Sequence, residues 1–82
     1  MRPEVLTFAT FMETVLRQND KKGGWDSMSY HDLFMRVCDE LTELAEEIDK
    51  GDKSFIMKEA LDAGNFLMMI FNKALKDIWS RR

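Results

Sequence analysis

Glu40 and Glu43 stand three residues apart, and so do Glu59 and Asp62. On a helix such residues are neighbours, about 5–6 Å apart at Cβ. Carboxylates that close repel unless something positive lies between them. Near a buried surface the repulsion raises at least one pKa. Two such pairs have two chemistries open to them: solvation as ordinary helix faces, or binding of a cation by oxygen ligands.

The pairs differ in weight. Between positions 39 and 49 there are six acids, so an E-x-x-E spacing arises there by chance. From Ser54 to Arg82 there are three, Glu59, Asp62 and Asp77, and two of them fall one turn apart in the oiliest stretch of the chain. Asn65 continues their ridge. The bland alternative is a polar strip with Lys58, Lys73 and Lys76 as counter-charge.

Three helices must position these groups, which makes the expected fold all-α. The first runs from Pro3, suited to a first helical turn, to Asn19, with Leu6, Phe8, Phe11, Met12, Val15 and Leu16 at helical spacing. Gly23-Gly24 ends any continuation. Ser29 caps a second helix over Tyr30 to Asp49, with Asp32 in the capping-box position. Its apolar residues, Leu33 to Ile48, fill one arc of about 140°. Glu40 and Glu47 abut that arc and Glu43 lies a step outside it. Gly51 closes the helix. A third helix starts at Asp52 or Ser54 and runs to Trp79. It is apolar nearly all round, so it must be covered on more than one side. Two preceding helices can hardly do that, which predicts packing against a partner subunit, with Met68-Met69 filling the interface. The tail, Ser80-Arg81-Arg82, frays.

The short turn between helices two and three makes them antiparallel neighbours, a helix hairpin. Glu43 and Glu59 then lie eight residues either side of Gly51, and Glu40 and Asp62 eleven. The pairs are level. Four carboxylates without His or Cys select Mg²⁺ or Mn²⁺ over zinc. Four negative charges exceed what one divalent ion cancels, which points to more than one ion and a polyphosphate to complete the site.

Composition narrows the classes. Eighty-two residues make one domain, 1–82, and 45% are hydrophobic, more than a lone small body needs. Net charge is −3 and no segment carries a basic stripe, which argues against binding a nucleic acid polymer. One cysteine, Cys38, excludes an internal disulfide and reads as a small buried apolar residue. No stretch approaches the roughly 20 apolar residues of a membrane span, and the N-terminus lacks signal-peptide character. A cytoplasmic location follows by default.

"DELTEL" at 39–44 followed by "KEALDAGNFLMMI" at 58–70 resembles the all-α nucleoside triphosphate pyrophosphohydrolases. The run "KKGGWDSMSYHDLFMRVCDELTEL", with its Gly-Gly-Trp loop, is similar to the MazG-like members. The resemblance covers about residues 21–72. It implies Mg²⁺-dependent cleavage of a nucleoside triphosphate to the monophosphate and pyrophosphate, in nucleotide-pool house-cleaning, by a homodimer or homotetramer built as a helical bundle. It implies Glu40, Glu43, Glu59 and Asp62 as metal ligands and Asn65 as a substrate contact. One of the carboxylates, Glu40 or Glu43, or the neighbouring Glu47, orients the attacking water. Two departures stand out. Asp39 replaces one of two adjacent glutamates common in the family. The sequence also stops after Arg82, before the fourth helix or basic extension that members commonly carry, so either a partner subunit completes the pocket or activity is weak.

Outside the acids, Trp25 is positioned to stack on a base or to anchor its loop, and Lys22 to reach phosphate or simply to be solvated. Arg36, one turn before Glu40, is placed to pair with it or to contact phosphate, and the i,i+4 salt bridge is the expected of the two. His31, at a helix start, is expected to have no catalytic role. The competing reading of the whole chain is a non-catalytic helical module for oligomerisation or partner binding.

Overall fold

The computed structural model describes residues 1–80; of the tail expected to fray, Ser80 is helical and Arg81 and Arg82 lie outside the described residues. The described chain is all-helical: α1 (Pro3–Gln18), a 3-10 turn (Asp20–Lys22), α2 (Tyr30–Lys50) and α3 (Lys53–Ser80). Each boundary has a local cause. Pro3 opens α1 where its missing N–H is not needed. Ser29 caps α2: its hydroxyl accepts from Asp32 N at 3.0 Å while the Asp32 carboxylate accepts from Ser29 N at 3.1 Å. Those bonds hold the Asp32 carboxyl below the usual range. Gly51 ends α2 with φ 75°, a conformation that penalises any side chain. Asp52 starts α3, its carboxylate accepting from Phe55 N at 3.2 Å.

α2 packs chiefly against α3, and α1 more lightly against α3. Tyr30, at the start of α2, donates its hydroxyl hydrogen bond to Asp77, near the end of α3. Lys73 lies 5.2 Å from the Tyr30 ring centroid and Lys76 pairs with Asp26 at 3.5 Å. Of the three lysines expected to neutralise the α3 acids, only Lys58 is so engaged among the described residues.

The core is small. Leu33, Val37, Leu61 and Ala63 are its buried apolar residues. No α1 residue is buried, although Leu6, Phe8 and Phe11 recur as a core stripe would. Periodicity identified the apolar face of α1, but α3 alone is too narrow to cover it. α1 rests on α3 where Gly64 leaves room: a Cβ there would lie 2.7 Å from Phe8 Cζ. Cys38 is half-buried and not the core residue expected, because only one helix flanks α2. No helix among the described residues is long and apolar enough to cross a membrane.

Candidate metal centre

The α2–α3 seam carries three buried polar residues, Glu40, Glu59 and Asn65, which are 9%, 6% and 4% exposed. Burying carboxylates is costly unless something answers their charge. Glu40, Glu43 and Glu59 each bring a carboxylate oxygen within 4.8 Å of the other two. Glu40 and Glu43 are successive turns of α2, and Glu59 faces them from α3. The Oε2 atoms of Glu40 and Glu59 and the Oδ1 of Asn65 are buried with no hydrogen-bond partner.

Burial, followed by the adjacent Glu59 carboxyl and the charges of Glu43 and Asp62, pushes the Glu40 carboxyl up to about 8. Glu43 is raised too, chiefly by its contact with Glu59. Burial alone would raise Glu59, but hydrogen bonds donated by Glu40, Glu43 and Lys58 outweigh it and leave Glu59 below the usual range. Without a metal, the raised Glu40 and Glu43 carboxyls favour a proton in the cluster. An all-oxygen donor set with orphaned buried oxygens fits a hard divalent cation, Mg²⁺ or Mn²⁺, which would take the proton's place. Glu40, Glu43 and Glu59 are the residues that would hold it.

Asp62 stands differently. Its carboxylate is not part of the three-glutamate group. It pairs with Lys58 Nζ at 3.1 Å, and the same ammonium reaches Glu59 Oε1 at 3.3 Å. These bonds, Asp62's first, raise the Lys58 pKa. Lys58 precedes Glu59 and lies one turn from Asp62, so the helix itself delivers a cation between them. Glu47 is half-buried, one turn beyond Glu43, and Lys50 holds it at 3.4 Å.

A cavity of about 640 Å³ opens beside the cluster. Glu40, Asp62 and Lys58 line it, together with Asn65, Trp25 and Lys22. Asn65 Nδ2 donates to Met12 O at 3.4 Å, tying the cavity floor to α1. Trp25 is half-buried in the wall and Lys22 is exposed at the edge. Loop and helices thus converge on one space.

No family model and no solved structure matches the chain. An uncharacterized protein of Archaeoglobus fulgidus is 31% identical over 74 residues, which span 89% of this chain and 80% of that one. The two chains belong to one family. The aligned stretch leaves out few residues of the chain, so it takes in at least part of both α2 and α3.

One placement departs from expectation. Arg36 makes no ion pair with Glu40. Its guanidinium carbon lies 5.3 Å from the Phe66 ring centroid, because the Glu40 carboxyl is turned into the cluster. Met69 lines the cavity. Sequence reasoning missed both Phe66 as a seat for Arg36 and the Tyr30–Asp77 bond. The second spans 47 residues, and local patterns carry no signal for it.

Proposed function

We propose that this chain is a Mg²⁺-dependent nucleoside triphosphate pyrophosphohydrolase. It would convert a (d)NTP to the (d)NMP and pyrophosphate, as the resemblance to MazG-like proteins implies. The observation that carries the reading is a single arrangement: three glutamates whose oxygens converge within 4.8 Å, two of them with buried unpartnered oxygens, beside a cavity lined by cations, two aromatics and a buried amide. The antiparallel α2–α3 hairpin supplies it, with Tyr30 bonded to Asp77 at one end and Glu40 and Glu43 facing Glu59 nearer the Gly51 turn.

Each residue has a task in that reaction. Glu40, Glu43 and Glu59 hold the cation, and Asp62 completes the charge of the site from beside Lys58. When bound, Mg²⁺ neutralises the polyphosphate and acidifies a water. One of the carboxylates, Glu40 or Glu43, or the neighbouring Glu47, would accept the proton of the attacking water. Asn65 offers its unpartnered Oδ1 to substrate, Trp25 a stacking face, and Lys22 a charge at the cavity edge. A cytoplasmic location suits a nucleotide substrate.

The functional unit we propose is a homodimer or homotetramer, in which a second chain covers the open helix faces. Phe11, Phe55, Phe71, Ile78 and Trp79 are all at least 47% exposed. The chain exposes 6497 Å², against about 5,100 Å² for a folded monomer of its mass. Its radius of gyration is 14.0 Å, against about 12 Å for a compact chain of this length. The surplus surface is of the size that a stable interface buries. That surface also suits the alternative, a non-catalytic oligomerisation module. The module predicts a melting temperature indifferent to Mg²⁺, whereas a centre that holds the cation gains stability from it. Incubation with Mg²⁺ and a panel of canonical and modified nucleoside triphosphates, read as pyrophosphate release, tests the enzyme reading.

A further inference from the structure

Three cations line the cavity: Lys22, Arg36 and Lys58. Glu59 and Asp62 answer Lys58. Lys22 and Arg36 have no carboxylate partner among the described residues. Of these two, Arg36 is the one whose side chain is held in place, its guanidinium carbon 5.3 Å from the Phe66 ring centroid. Both Arg36 and Phe66 line the cavity.

The contact is informative because a better one lies within reach. Glu40 is four residues on, at the spacing where Arg–Glu pairs form. Its carboxyl instead faces Glu43 and Glu59. An aromatic seat fixes the guanidinium plane by its face and leaves the N–H edge open. That edge is a fork matched to two oxygens of one phosphate. A carboxylate partner would have occupied it.

We propose that Arg36, seated on Phe66, is a phosphate-binding subsite that takes the polyphosphate of the substrate beside the carboxylate centre. This rests on the nucleotide reading and deepens it. Glu40, Glu43 and Glu59 would hold a cation that answers part of the polyphosphate charge, and the Arg36 fork answers another part.

Inorganic tripolyphosphate with Mg²⁺ is the probe, because it removes the unknown base. Titration calorimetry on the full chain reads its affinity. Mg²⁺ alone, titrated into each variant, reports whether the centre is intact. Arg36→Met weakens tripolyphosphate binding on the order of 10- to 100-fold, as loss of a charged, forked hydrogen bond does, and leaves Mg²⁺ affinity within about twofold of wild type. Arg36→Lys keeps the charge but loses the fork and most of the stacking, so it recovers only a minor part. Phe66→Leu weakens binding severalfold through loss of the seat.

Equal tripolyphosphate binding by Arg36→Met and wild type overturns the subsite, as does Arg36→Lys matching wild type, or a wild type that does not bind the probe. The enzyme reading falls separately. Arg36-dependent binding in a protein that releases pyrophosphate from no nucleotide would keep the subsite and sink the reaction.

Discussion

Raising the pH of the metal-free protein from 6 to 8 should destabilise it, and Glu40→Gln should abolish that loss. Glu40 is buried against Glu59 and titrates at about 8, whereas in the unfolded chain it titrates near the ordinary 4.5. Between those values the native state holds a proton that the unfolded state does not. Stability therefore falls as pH rises through the window, by at most about 1.36 kcal/mol per pH unit. Glu59 shifts the other way, and its effect lies below pH 4.5, outside the window. Integrated from pH 6 to 8, Glu40 alone gives about 2.3 kcal/mol. Water in the adjoining cavity screens the pair, so about half is expected, or on the order of 1 kcal/mol and 5 °C in Tm for a domain of this size. The assay is thermal unfolding by circular dichroism in EDTA at several pH values. The amide introduced by Glu40→Gln can donate a hydrogen to Glu59 at every pH, so the variant's curve should lack this slope, and the comparison subtracts every other group that titrates there. Adding Mg²⁺ at pH 8 should restore the wild type and not the variant. A wild-type Tm that is flat or rising from pH 6 to 8, or a parallel Glu40→Gln curve, would refute the account of a proton favoured in the cluster.

Three further outcomes are expected. Glu59→Gln should weaken Mg²⁺ binding by about 100-fold in calorimetry, and Asp62→Asn by less than about tenfold, since Lys58 already answers Asp62; equal losses would place Asp62 among the ligands. Gly64→Ala should leave stability nearly unchanged in the wild type, where the gain in helix propensity offsets the clash with Phe8, and should stabilise a Phe8→Ala background by about 1 kcal/mol; a denaturant double-mutant cycle without that coupling would show that Phe8 does not dock on Gly64. Ser29→Ala should cost about 1 kcal/mol in urea unfolding through loss of the α2 cap.

The helices were legible wherever a local device sets them. Ser29 with Asp32, Gly51 and Pro3 each act within a turn of the residues they control, so sequence spacing is enough. The convergence of Glu40, Glu43 and Glu59 was legible for a related reason, because a short turn fixes which residues of two packed helices lie level. Burial was less so. Periodicity marks Leu6, Phe8 and Phe11 as one face of α1 but does not say what covers that face, and α3 leaves it open. Asp62 shows another limit. Spacing places its Cα correctly, yet which group its carboxylate meets is decided by Lys58, a flexible side chain one turn away. The choice of Phe66 over Glu40 by Arg36 likewise depends on where a third group, the Glu59 carboxyl, draws Glu40.

Pyrophosphate release with Mg²⁺ across a panel of canonical and modified nucleoside triphosphates, wild type beside Glu59→Gln, tests the central claim most directly. The account predicts turnover of at least one nucleotide by the wild type, dependent on the metal, and its loss by a factor of about 100 or more in the variant. No pyrophosphate from any nucleotide, or equal release by both proteins, would contradict it.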